Sequence, residues 1–173
     1  MFEKHSNQAP YKENYVSDEL KFNIVLVEPE IPPNTGNIAR LCAATGAVLH
    51  LVEPLGFSID DRQLKRAGLD YWDSVEVRLW PGFEQLRNTF PQGRFFYLST
   101  KPAKSYLDAV FCPGDFLVFG KETKGLPEEL LRANPETAIT IPMPAGTVRS
   151  LNLSTSAGIV LYEALRQTGV LAR

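Results

Sequence analysis

The chain is poor in the residues from which several kinds of chemistry are built. It has two histidines and two cysteines in 173 residues. Cys42 and Cys112 sit in apolar stretches, Leu41-Cys42-Ala43 and Val110-Phe111-Cys112, with no zinc-type spacing around them. A metal site is therefore not expected, and both cysteines read as reduced, buried thiols. Excess positive charge is also missing: the formal net charge is −2, so any site for nucleic acid must come from a local cluster. No apolar run approaches the length of a membrane span. Met1 to Lys21 has neither the apolar core of a signal peptide nor the Arg-rich, acid-poor character of a transit peptide. Residues 1–21 are expected to form a polar, flexible extension, and residues 22–173 a single domain of a cytoplasmic protein with no membrane partner.

What is present is an ordinary globular composition, 44% hydrophobic and 22% charged, in a chain long enough to bury a core without staples. From Phe22 onward, short β-rich runs alternate with helical patterns, the signature of a parallel sheet covered by helices. Six strands are predicted, at Asn23–Glu28, Ala47–Val52, Val75–Leu79, Arg94–Ser99, Phe116–Phe119 and Ala138–Ile141. Ile24-Val25-Leu26-Val27 and Phe116-Leu117-Val118-Phe119 are continuously apolar, as strands buried on both faces are. Asn34 is a candidate cap for a helix with Ile38, Leu41, Cys42 and Thr45 on one side and Gly46 as its stop. A last helix carries Ala157, Val160, Leu161, Ala164 and Leu165 as a stripe, with Gly169 after its end and Tyr162 off the stripe.

Three loops, each directly after a predicted strand, concentrate glycine and polar residues at the end of a parallel sheet where ligands bind. The first runs from Glu28 to Arg40 and contains Asn34-Thr-Gly-Asn-Ile-Ala-Arg40. Asn37 and Arg40, three residues apart, can face one site, and the helix start offers N–H groups to a phosphate. The second, Gly120-Lys-Glu-Thr-Lys-Gly-Leu-Pro127, lets a ligand approach the main chain, but Leu-Pro after its second glycine excludes a P-loop. The third, from Ile141 to Ser156, crowds Arg149, Ser150, Asn152 and Ser154 just before the final helix. Taken singly, each could be a structural turn: Asn34 and Ser154 as caps, Asn152 as an Asx turn.

Together, in this order, Asn34 to Arg40, Gly120 to Pro127 and Arg149-Ser-Leu-Asn-Leu-Ser154 resemble the three motifs of the SPOUT RNA methyltransferases. The likeness is to the minimal members that methylate the 2′-hydroxyl of the wobble nucleotide, cytidine or uridine 34 of tRNA. It spans about Phe22 to Gly169 and includes Leu64-Lys-Arg-Ala-Gly-Leu-Asp-Tyr71. The resemblance implies a six-stranded parallel sheet with helices on both faces and a deep C-terminal trefoil knot, a homodimer, and tRNA bound by its anticodon stem-loop. It implies S-adenosylmethionine as cofactor, held at Leu98, Gly120, Ile141, Ser150 and Leu151. Leu151 and Lys121 depart from relatives that carry Met and Pro there.

By the same resemblance Arg40 acts on the 2′-hydroxyl and its adjacent phosphate, with Asn37 orienting it. Guanidinium stays protonated in proteins, so Arg40 is awkward as a base, and a substrate phosphate is the alternative proton acceptor. Glu122 either supports the second loop or touches the nucleotide. Arg149 and Asn152 contact the target nucleotide, and Ser154 caps the last helix beside the RNA. Arg62, Lys65, Arg66, Lys124 and Arg149 are the candidates for phosphate contacts; Arg62, Lys65 and Arg66 could equally form a solvated face balanced by Asp60 and Asp61. Methylation of ribosomal RNA, and non-catalytic binding of the cofactor or of RNA, are the competing readings. No added RNA-binding domain precedes Phe22, and no Gly-x-Gly-x-x-Gly follows the first strand to favour a dinucleotide site.

Overall fold

Five-residue runs such as Asn23–Val27 and Val48–Val52 are buried along their whole length, which only a central strand covered on both faces allows. The computed structural model describes residues 21–59, 72–101 and 104–171. In chain order the elements are β1 (Asn23–Val27), α1 (Pro32–Thr45), β2 (Val48–Val52), β3 (Val77–Trp80), α2 (Phe83–Thr89), β4 (Phe95–Leu98), β5 (Lys104–Ser105), β6 (Phe116–Phe119), α3 (Glu128–Ala133), β7 (Ala138–Thr140) and α4 (Leu153–Gln167), with single 3-10 turns at Trp72–Ser74 and Tyr106–Asp108. The sheet order is β3-β2-β1-β6-β4-β7-β5, and every pairing is parallel. There are seven strands here and not the expected six. The extra one, β5, is a two-residue edge strand on β7, too short to leave a pattern in sequence.

Alternate residues point to opposite faces of a strand, and each face has its own core. Ile24, Leu26, Leu49, Leu51, Leu117 and Phe119 pack beneath α1 and α4 through Ile38, Cys42, Ala157, Val160, Leu161 and Ala164. Val25, Val27, Phe95, Tyr97, Phe116 and Val118 pack on the other side with Leu86 of α2, and Leu130 and Leu131 of α3 close against them. Both long helices were legible as stripes. The short α2 and α3 were not: α2 buries only Leu86, and no residue of α3 is fully buried.

Most of the polar exceptions in the core are bonded; the buried Thr35 hydroxyl is the exception among the described residues. His50, fully buried on β2, accepts from Trp80 Nε1 through Nδ1 at 3.0 Å and meets Asn23 Oδ1 through Nε2 at 2.9 Å. Because indole nitrogen only donates, Nδ1 is the acceptor and Nε2 carries the proton. Asn23 in turn donates to the Gly114 carbonyl at 3.1 Å. Burial, with the charge of Arg78 adding to it, pushes the His50 pKa down to about 3, so the imidazole is neutral.

Three expectations need correction. The N-cap of α1 is Ile31, not Asn34, because two prolines at positions 32 and 33 preset the helical φ and start the helix earlier. Gly46 does stop it, in the left-handed region at φ 75°. The cap of α4 is Asn152, not Ser154, which lies inside the first turn. Cys42 is buried but Cys112 is only half-buried, its Sγ 2.9 Å from Arg94 Nη1. Both thiols are free. The segment Leu64 to Tyr71, with Arg62, Lys65 and Arg66, and the extension before Lys21 lie outside the described residues. Among the described residues no helix is long and apolar enough to cross a membrane.

Candidate active site

The parallel order places the ends of β6, β4 and β7 side by side, and above them lies a cavity of about 720 Å³. Its floor is apolar, from Leu98, Phe119, Leu126, Ile141 and Leu151, and its rim carries Lys101, Glu122, Lys124, Glu128, Arg149 and Asn152. Residues from all three loops line it, including all five expected cofactor contacts: Leu98, Gly120, Ile141, Ser150 and Leu151. Volume and lining are those of a site for a small organic ligand.

Gly120 is required here for a concrete reason. A Cβ on it would stand 2.1 Å from the Gly125 carbonyl carbon and 2.2 Å from Leu126 N, so any side chain would force the second loop open. The loop folds back on itself through Gly125 N donating to Lys121 O at 2.8 Å, with Gly125 at φ 68°, where glycine meets no steric penalty.

One relay of side chains ties the three loops together. The Glu122 carboxylate accepts from Glu30 N at 2.8 Å, Ile31 N at 3.1 Å and Asn34 Nδ2 at 3.1 Å. Asn34 Oδ1 accepts from Asn152 Nδ2 at 2.9 Å. Asn152 Oδ1 then caps α4, accepting from Ser154 N at 2.9 Å and from Ser154 Oγ at 2.6 Å. Each amide has one consistent orientation, since turning any of them over would set two donors or two acceptors face to face.

This relay corrects the expectation of a phosphate site at the start of α1. The first-turn N–H groups of a helix are its anion donors, but Pro32 and Pro33 have none, Asn34 N bonds Ile31 O at 3.0 Å, and Ile31 N is taken by Glu122. The anion at this helix start is the Glu122 carboxylate itself. Of the two roles left open for Glu122, the hydrogen bonds are those of loop support. Asn34, 6% exposed, is the bridging residue that sequence reasoning took for a simple cap; the signal available was an Asn in the same motif as Arg40.

Not every candidate converges. Glu122, Lys124, Arg149, Ser150 and Asn152 line the cavity, whereas Asn37, Arg40 and Ser154 do not. Asn37 and Arg40 lie on the exposed side of α1. His50, the one histidine among the described residues, is sealed in the core and lines no part of the cavity. Lys121, whose use sequence left open, forms an ion pair with Glu28.

A parallel α/β sheet carrying a ligand-sized cavity over the C-terminal ends of adjacent strands, walled by a glycine loop and rimmed by charged side chains, defines a protein that binds a small organic ligand there. The chain belongs to the SpoU rRNA Methylase family, whose sequence model matches residues 21–162. It is thus a methyltransferase of the class its three motifs resemble. A tRNA (cytidine(34)-2'-O)-methyltransferase of Burkholderia ambifaria is 49% identical over 152 residues, 86% of this chain and 96% of the relative. A solved structure described as giving insights into the 2-OH methylation of C/U34 on tRNA matches with a TM-score of 0.82 and 46% identity, over 90% of this chain and 99% of that one. A SpoU methyltransferase of Streptomyces viridochromogenes, solved in complex with AdoMet, shares the fold at a TM-score of 0.77 and 24% identity, over 86% of this chain and 58% of that one.

Proposed function

We propose that the chain transfers a methyl group from S-adenosylmethionine to the 2′-hydroxyl of the wobble nucleotide, cytidine or uridine 34, in the anticodon stem-loop of tRNA. The observation that carries this reading is the cavity walled by residues of all three motif loops, in a chain that matches a tRNA (cytidine(34)-2'-O)-methyltransferase over 86% of its length. The cavity suits the cofactor: its apolar floor at Leu98, Ile141 and Leu151 fits a purine face, and the Gly120 turn brings backbone within reach of polar ring edges. Lys101 and Glu128, paired with each other at the rim, offer both charges to an amino-acid tail. Bound there, S-adenosylmethionine supplies a methyl group already activated by its sulfonium.

The protein's share is then positioning, which alone removes a large part of a bimolecular barrier. Arg149 and Asn152 on the rim hold the target nucleotide, and Lys124 meets backbone phosphate. Arg40 binds the phosphate beside the reacting hydroxyl and orients that hydroxyl with Asn37. As a permanent cation it stabilises the alkoxide and leaves the proton to a substrate phosphate oxygen. No imidazole is available to this chemistry among the described residues, and Glu122 is committed to three donors. Arg62, Lys65 and Arg66 extend the phosphate contacts, and Ser154, donating to Asn152, steadies that residue beside the RNA.

The finer architecture belongs to the same proposal. The chain entering α4 is threaded as a trefoil knot, a reading that rests on the resemblance of the three motifs. The assembly is a C2 homodimer; Tyr162, off the buried stripe of α4 and 46% exposed, supplies apolar surface for it. Incubating the protein with tritium-labelled S-adenosylmethionine and tRNA from cells lacking it, then mapping the label by mass spectrometry, tests the reading. A ribose methyl at position 34 is expected. Transfer to ribosomal RNA alone would overturn the substrate, and no transfer to either RNA would overturn the activity.

A further inference from the structure

β1 and β6 lie side by side with Leu26 opposite Phe119, and this register continues past the ends of both strands as a ladder of side chains. At the same offset of 93 residues the Lys121 ammonium meets the Glu28 carboxylate, and Thr123 donates to the Glu30 carboxylate from its backbone N at 3.0 Å and its hydroxyl at 2.8 Å. Between them Glu122 reaches back to Glu30 N and Ile31 N. Three consecutive residues of the second loop are thus each bonded to the first. Glu28 sits at φ 51°, which non-glycine residues seldom adopt. The Thr123 hydrogen bonds, with Lys121 and Lys124 nearby, hold the Glu30 carboxyl below its ordinary range. Lys121 and Thr123 line the cavity; Glu28 and Glu30 stand behind them.

We propose that Glu28, Glu30, Lys121 and Thr123 are positioning residues: this ladder holds the second loop against the first and so sets the affinity for the methyl donor. Glu28 and Glu30 stand outside the cavity lining and act through Lys121 and Thr123. The inference rests on the reading of the cavity as the S-adenosylmethionine site. A loop already held in its bound shape loses less freedom when the ligand arrives, so loosening the ladder should weaken binding and spare the transfer step.

The test is calorimetric titration of S-adenosylhomocysteine, the demethylated donor, into the full chain and its variants, alongside KM for the donor and kcat at saturation. Glu30→Ala and Thr123→Val should each raise Kd and donor KM about five- to tenfold, less than the whole contribution of a charge-assisted hydrogen bond because only the cost of ordering the loop passes into binding, with kcat within about twofold. The two changes together should cost little more than either one. Thr123→Ser keeps the hydroxyl and should bind as the unaltered chain does, and Lys121→Met should show a smaller loss of the same kind. Unchanged Kd in Glu30→Ala and Thr123→Val would overturn the proposal, as would a loss in Thr123→Ser equal to that in Thr123→Val, or a fall confined to kcat. If the unaltered chain bound no S-adenosylhomocysteine, the reading of the cavity would fall and the ladder's role with it, a result distinct from the others.

Discussion

Replacing Asn34 by Asp is nearly isosteric, yet it would set two carboxylates against each other where Asn34 Nδ2 now donates to Glu122 at 3.1 Å. A hydrogen bond to a charged group contributes about 1.5–3 kcal/mol, and like-charge repulsion at a position only 6% exposed adds to its loss. We expect Asn34→Asp to cost about 3 kcal/mol at pH 7.5. Glu122→Gln should cost about 2 kcal/mol, since it removes the charge at the start of α1 and turns an amide N–H toward a backbone donor. In the double variant the amide introduced at position 122 can donate to the carboxylate introduced at position 34, whose other oxygen still accepts from Asn152. Its cost should therefore stay near about 2 kcal/mol, where independent sites would give about 5 kcal/mol. Urea denaturation read by circular dichroism measures all four proteins. The Asn34→Asp deficit should also shrink toward pH 5: the crowded pair takes up a proton more readily folded than unfolded, and the shared proton restores a donor. Additivity within about 0.5 kcal/mol, or an Asn34→Asp variant no worse than Asn34→Ala, would refute the relay.

Gly120→Ala should abolish binding of S-adenosylhomocysteine by calorimetry while leaving a folded chain, because the new Cβ, 2.1 Å from backbone carbon, can be accommodated only by displacing the second loop. Arg40→Ala should remove nearly all methyl transfer in the tritium assay with cofactor affinity within about twofold, since Arg40 lies outside the cavity lining and guanidinium contributes through a charge that alanine lacks; retained turnover would refute its assignment. For His50, the folded pKa of about 3 lies below the ordinary 6.5, so the unfolded chain binds the extra proton between those values. Stability from the neutral imidazole is complete above about pH 6.5 and is lost as pH falls, by up to about 1.4 kcal/mol per pH unit; the pH 7 to pH 5 difference in unfolding free energy should be about 2 kcal/mol larger for the unaltered chain than for His50→Gln.

What sequence could reveal depended on how local the determining physics was. Buried parallel strands announce themselves because both faces must be apolar, so β1, β2 and β6 were readable to within a residue. Helix stripes exposed α1 and α4 for the same reason. Caps failed because the partner was remote: nothing within the first motif says that the start of α1 is satisfied by a carboxylate from Glu122, so Asn34 was assigned the local role that its side chain ordinarily plays. The same blindness applied to Ser154, read as the cap of α4 with Asn152 as an Asx turn: the cap is Asn152, whose side chain also reaches Asn34.

Sheet register closes that gap more generally. Once β1 and β6 are known to be parallel neighbours with Leu26 opposite Phe119, the loops that leave them are known to start side by side, and the pairs Glu28–Lys121 and Glu30–Thr123 keep the same offset although Glu28 leaves the extended geometry. Two acidic residues spaced by one after a buried strand, and a lysine and a threonine spaced by one after another, carry no signal apart. Their meaning is a property of the alignment between two strands, and the first loop's carboxylates can be read as functional only after the topology is known. For this site the long-range pairing of strands therefore comes before the chemistry: it decides which loop each charge faces, and through that which residues shape the cavity and which merely hold its walls.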